Sequence, residues 1–190
     1  MGTAGARGRP AHGTYNSVPQ VRSLYLVRHA AAADHDSWAR PDGLRPLTPF
    51  GWRQALAIGA FLDGTGIEGF WASPTVRCQD TLLPAAHDRG LAVEADPRLY
   101  ERAAPSSPDA AGALLAELLH SYFAAGAQLV AACSHGNVLP PVLALADPES
   151  GKRCPKGGVW KLDLDDGEDR VSKVSFLGRL DPHTESWEVR

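Results

Sequence analysis

The chain has 190 residues, 44% of them hydrophobic and 22% charged, with a net charge of −3. That length suits one domain with a sizeable core, and the balance is that of a soluble globular protein with no membrane span. The slight acidity argues against a general nucleic-acid-binding surface, so any cationic pocket must be local.

Residues 1–20 are rich in Gly, Pro, Arg and small polar residues and are expected to form a disordered N-terminal extension. They lack the apolar segment of a secretory signal. Residues 21–190 are expected to form a single domain. Its first strand spans about Ser23–Val27, in an apolar run that ends abruptly in Arg28-His29. A loop follows with Asp34, His35, Asp36 and Trp38, then the turn signal Arg40-Pro41-Asp42-Gly43. Thr48 and Pro49 suit the cap and first position of a helix, which Gly64-Thr65-Gly66 stops. Gly69–Ala72 reads as a short second strand. Ser73 is the expected cap of the next helix, with Pro74 in its first turn, and Pro84 should kink or shorten it.

Further along, Leu91–Ala95 alternates as a strand does, and Pro105–Pro108 is a loop. Asp109–Ala125 carries its leucines at helical spacing. Gln128–Cys133 is another buried strand, and Val138–Ala146 is a helix that tolerates Pro140 and Pro141 only in its opening turn. Val159–Leu164 and Val171–Leu177 read as a hairpin joined by the acidic run 165–169. That run lacks the spaced ligands of a calcium loop. Strands alternating with helices give an α/β layered domain. The three cysteines, Cys78, Cys133 and Cys154, form no Cys-x-x-Cys. They point to reduced thiols in a cytoplasmic protein, with Cys78 a candidate for exposure near the site.

Four segments fit one chemistry: Arg28-His29, Ser73-Pro74-x-x-Arg77, Leu99-Tyr100-Glu101 and Ser134-His135-Gly136. Three of them follow apolar strands, and open α/β sheets place their chemistry past the carboxyl ends of strands. Bringing those ends together sets two arginines and two histidines around one point. Two guanidiniums can clamp a phosphate monoester, and a neutral imidazole can attack phosphorus. Arg77 falls in the first turn of a helix, where free N–H groups favour anions. Glu101 can give the leaving oxygen its proton. Gly136 permits close backbone approach to a ligand.

These residues resemble the histidine phosphatase superfamily, also called phosphoglycerate-mutase-like. The matching segments are Leu26-Val27-Arg28-His29-Ala30, Pro46-Leu47-Thr48-x-x-Gly51-x-x-Gln54-Ala55, Ser73-Pro74-x-x-Arg77-x-x-x-Thr81, Leu99-x-Glu101 and Ser134-His135-Gly136-Asn137, in the family's order. Arg45-Pro46-Leu47-Thr48 is similar to the short SixA-like branch. Val76-Arg77-Cys78, Thr81, Pro84 and Lys156-Gly157 before Trp160 are similar to the phosphatase half of certain two-domain Nudix proteins.

The resemblance implies a three-layer α/β/α sandwich with a mostly parallel central sheet. It implies that His29 is phosphorylated during turnover, that Arg28, Arg77 and His135 hold the phosphate, and that Glu101 donates the proton. Asn137 joins the phosphate-binding set, or caps the helix that follows. No metal and no organic cofactor are implied. The expected partner is a small phosphorylated substrate or a phosphohistidine protein, with no nucleic acid and no membrane.

Blander readings stand beside these. Arg28-His29 alone is a surface pair, and His135 alone is a core histidine. Glu101 can pair with Arg98 or Arg102 on a solvated loop. Arg45 reaches the substrate or bridges its loop to the domain. Asp34, His35 and Asp36 read as a polar loop in preference to a metal site. A protein that binds phosphate without hydrolysing it is the reading from another class. The choice between phosphohistidine and a nucleotide or small metabolite rests on whether the loops 31–45 and 102–110 leave the pocket open.

Overall fold

A strand with apolar residues on both faces has to lie inside a layered structure, covered from both sides. Such a strand is β1 (Ser23–Arg28) in this computed structural model, which describes residues 21–165 and 169–189. The extension expected over 1–20 and the tip of the acidic turn, 166–168, lie outside the described residues. β1 pairs in parallel with β4 (Leu129–Ser134) and antiparallel with β5 (Val159–Leu164). Among the described residues the sheet has seven strands in the order β3-β2-β4-β1-β5-β6-β7. Here β2 is Gly69–Ala72, β3 is Val93–Ala95, β6 is Val171–Leu180 and β7 is Trp187–Glu188. The first four in that order run parallel, and β5 to β7 are antiparallel.

Alternation along the strands divides the core into two layers. Leu24 and Leu26 face α3 (Pro108–Phe123) and α4 (Leu139–Ala146), with Leu118, Leu119 and Leu143 beneath them. Tyr25 and Val27 face α1 (Pro49–Leu62) and α2 (Val76–His87), with Ile58, Leu62 and Leu82. The expected three-layer sandwich is therefore present. Among the described residues no helix is long and apolar enough to cross a membrane.

The helix ends follow from local chemistry. Thr48 caps α1, its Oγ1 accepting from the Gly51 N–H at 3.0 Å, and Ser107 caps α3 through the Ala110 N–H at 3.1 Å. The expected cap of α2 needs correcting. Thr75, not Ser73, occupies the cap position, and its side chain makes no capping bond. Pro84 does not shorten α2 either, since the helix runs on to His87. A Cβ on Gly59 of α1 would meet the Pro84 Cβ at 3.3 Å, so the proline sits in close helix–helix packing, where tertiary contact compensates the lost backbone bond.

Several boundaries shift. α3 begins at Pro108 and ends at Phe123, and β3 begins only at Val93. β6 continues past Leu177 to Leu180, and Trp187 returns on it as β7, stacked on Phe61 with ring centroids 4.5 Å apart. A one-turn helix, α5 (Pro148–Lys152), precedes β5 and had no sequence expectation.

α1 starts against the loop that leaves β1. A Cβ on Gly51 would stand 1.9 Å from the Ala31 carbonyl oxygen, so only glycine fits. Gly51→Ala is expected to cost about 3 kcal/mol in urea unfolding. A change within about 0.5 kcal/mol would contradict this packing.

Candidate active site

Parallel pairing of β1, β4 and β2 brings their carboxyl ends to one edge of the sheet. Arg28 is in register with Ser134, and Ala72 with Cys133. The next residues are locked across the strands: the His29 N–H donates to the Ser134 carbonyl and the Ser73 N–H to the Cys133 carbonyl, both at 2.9 Å. A cavity of about 550 Å³ opens there. Arg28, His29, Glu101, His135, Asn137 and Lys156 are among its walls. A second cavity, of about 580 Å³ and lined by Trp160, Phe176 and Cys154, contains none of the predicted site residues.

His29 is 5% exposed. Its Nδ1 lies 2.8 Å from the Ala30 carbonyl oxygen, which can only accept, so Nδ1 carries the proton and Nε2 keeps its lone pair. Burial pushes the imidazole down to about 3; His135, Arg77 and Arg28 push the same way, against the bond to Ala30. The ring is thus neutral at physiological pH. The Ala30 N–H donates to Thr81 Oγ1 at 3.0 Å, and that hydroxyl donates to the Arg77 carbonyl at 2.6 Å. One threonine so ties the loop behind His29 to the helix that carries Arg77.

Arg28 lies against Gly136. A Cβ at that position would meet Arg28 Cζ at 2.6 Å, so the glycine makes room for the guanidinium. The close approach read from the sequence is therefore to a side chain of this protein. Arg28 also donates through Nη1 to the Cys154 carbonyl, while its Nε is buried with no acceptor among the described residues.

Arg77 is wholly buried and lies outside the cavity lining. Its Nη1 donates to the Asp42 carbonyl, and its Nη2 is 2.9 Å from both Asp42 Oδ2 and Glu101 Oε2 and 3.4 Å from His135 Nδ1. The Arg77 Nε is also buried without an acceptor among the described residues. Two buried guanidinium N–H groups are donors that an anion can satisfy.

His135 points Nε2 at Ser73 Oγ, 2.8 Å away, and its Nδ1 is 3.6 Å from Glu101 Oε2. Its ring centroid is 5.3 Å from that of His29. Glu101 sits on a short turn (Glu101–Ala103) fixed from β4: Ser134 Oγ donates to the Leu99 carbonyl and Asn137 Nδ2 to the Glu101 carbonyl.

The structure decides several open readings. Glu101 pairs with Arg77, not with Arg98 or Arg102; Arg98 is held by Asp96. Asn137 does not cap α4, whose cap position is Val138; its amide is spent on Glu101. Arg45 bridges its own loop, donating to the Ala33 carbonyl and to Asp42 Oδ1, and still reaches the cavity wall. Asp34 is spent on the N–H groups of Asp36 and Ser37. Cys78 is buried, 3.6 Å from His135 Nε2, not exposed. Asp42 joins the site unexpectedly, and Ser73, read as a helix cap within its motif, meets His135 instead. Their types had been absorbed by local readings, a turn and a cap, and only the tertiary path of the loop shows otherwise.

Residues 24–111 match the family model of the histidine phosphatase superfamily (branch 1). The chain is 31% identical over 155 residues to an 8-oxo-(d)GTP phosphatase of Mycolicibacterium smegmatis, an alignment covering 78% of this chain and 46% of that protein. It spans less than half the length of the curated relatives it matches. The protein histidine phosphatase SixA, solved with tungstate, superposes with a TM-score of 0.62 at 22% identity, over 83% of this chain and 95% of that one. A phosphoserine phosphatase of Entamoeba histolytica gives 0.60 at 15% identity, over 83% and 95%. The two structural likenesses speak to the fold.

Two measurements probe this geometry. In the unfolded chain His29 takes up a proton near its ordinary value of 6.5, in the folded chain only near 3. The stability linked to it is therefore complete above 6.5 and falls away as the pH drops toward 3, by about 1.4 kcal/mol per pH unit. His29→Gln should flatten that part of the stability profile; an unchanged slope would contradict the neutral, buried ring. Gly136→Ala should displace the Arg28 guanidinium and weaken inorganic phosphate binding about tenfold by titration. Equal affinity would show that Arg28 does not depend on the glycine.

Proposed function

We propose that this member of the histidine phosphatase superfamily hydrolyses a phosphomonoester or phosphohistidine through a covalent phosphohistidine on His29. The observation that carries the reading is the ring of His29, neutral, with its proton fixed on Nδ1 and its place in the cavity wall shared with Arg28 and His135. Arg28 and His135, on the cavity wall, would hold the phosphoryl oxygens and spread their charge, which is the main service of a protein in this chemistry, while Arg77, buried behind them, would act through Glu101 and His135. Asn137 would act through Glu101, since its amide holds that residue's carbonyl.

The bookkeeping is simple. His29 Nε2 forms a bond to phosphorus as the ester P–O bond breaks, and the Glu101 carboxyl gives its proton to the leaving oxygen. Water then attacks phosphorus and returns a proton to the Glu101 carboxylate, and the N–P bond breaks to release phosphate. None of these steps calls for a metal ion.

For the substrate, two readings have separate support. Similarity to SixA favours protein phosphohistidine. The 31% identity to the M. smegmatis protein favours a nucleotide, and Lys156 and Arg45 on the cavity wall add cationic groups that a polyphosphate could use. Turnover of a panel of phosphohistidine protein, nucleotides and sugar phosphates, run with EDTA, separates them. Activity is expected to survive the chelator; its loss would overturn the metal-free step.

His29→Ala should lose more than about a thousandfold in turnover while its circular dichroism stays native. The wild type, quenched in alkali during turnover, should carry phosphate on His29. Equal activity in the variant, or a phosphate-free His29, would refute the covalent route.

A further inference from the structure

Asp42 and Glu101 approach the same nitrogen from different elements. Asp42 lies on a short turn (Asp42–Leu44) of the loop after β1, and Glu101 follows β3. Asp42 Oδ2 and Glu101 Oε2 are each 2.9 Å from Arg77 Nη2. The Arg77 Nη2 thus bridges the two carboxylates, so the place of one depends on the other.

The two carboxylates differ in what else they meet. Asp42 has a second cation of its own, the Arg45 Nε at 2.9 Å, and His35 Nε2 at 3.9 Å. Glu101 has the shared Arg77 and, 3.6 Å away, His135 Nδ1. Burial raises the Asp42 carboxyl, yet hydrogen bonding to Glu101 and Arg45 outweighs it and holds the group at about 2. Asp42 is thus the more firmly held of the two carboxylates, anchored by Arg45 as well as Arg77. Glu101 lines the cavity and Asp42 does not.

We propose that Asp42 is a positioning residue for the proton donor: through the Arg77 guanidinium they share, it fixes Glu101 in the cavity wall. The inference rests on the assignment of Glu101 as the donor. When the ester P–O bond breaks, the proton passes from Glu101 to the leaving oxygen, and Arg77 with Asp42 retains the resulting carboxylate in place for the hydrolytic step.

The test compares a leaving group that needs a proton with one that does not. Turnover is measured on β-glycerophosphate and on p-nitrophenyl phosphate for the wild type, Asp42→Asn, Glu101→Gln and the double variant. Asp42→Asn should raise the aryl-to-alkyl ratio of kcat about tenfold, and Glu101→Gln at least as much. The double variant should match Glu101→Gln alone, because Asp42 acts through Glu101. A ratio unchanged in Asp42→Asn but raised in Glu101→Gln overturns this inference alone, as does an equal loss on both substrates. A ratio unchanged in Glu101→Gln overturns the donor assignment and the inference with it. Should Asp42→Asn not fold, Asp42→Glu keeps the charge beside Arg77 but displaces the carboxylate; it should raise the ratio by a smaller factor, and an unchanged ratio again overturns the proposal.

Discussion

A wholly buried guanidinium cannot stand alone; it needs counter-charge and hydrogen-bond acceptors, or the fold loses several kcal/mol. Arg77 meets that demand by drawing three separate parts of the chain onto itself: the turn at Asp42, the turn at Glu101 and the strand end at His135. Through Thr81 its own helix also holds the backbone just past His29. Each part of the site is thereby placed relative to one cation, and the sheet supplies only the edge on which they meet.

The second organising effect is the treatment of charge. His29 is kept neutral mainly by burial, with neighbouring cations helping. The same cations that would attract a phosphate therefore keep the His29 imidazole from taking up a second proton. Lys156, on the cavity wall, is lowered by burial and by Arg28 and Arg45 in the same way. Acidic side chains nearby are consumed inside the protein: Asp42 by Arg45 and Arg77, Asp34 by its own turn. What faces the cavity is an excess of positive groups in a chain that is acidic as a whole.

Much of this was legible in the residues. Buried strands ending in Arg28-His29 and Ser134-His135 announce both the sheet and the edge where chemistry collects, because period and burial are local properties. Helix caps at Thr48 and Ser107 are equally local, although only the first was foreseen. What could not be read is whatever a side chain does across the fold. Ser73 looks like a cap and instead receives His135; Asn137 looks like a cap and instead holds Glu101. Gly136 looks like room for a ligand and instead admits Arg28. In each case a plausible neighbour in sequence competed with a partner dozens of residues away, and the distant partner won.

Strand order has a bearing on how such a chain comes into being. β1 leads directly into His29, yet both its neighbours, β4 and β5, are encoded after residue 128. β2 and β3 likewise reach β1 only through β4. A chain emerging from the ribosome therefore holds β1 without either neighbour until residues past 128 have been synthesised, with apolar faces that other chains can capture. Truncation anywhere before Leu164 leaves β1 without its full pair of neighbours.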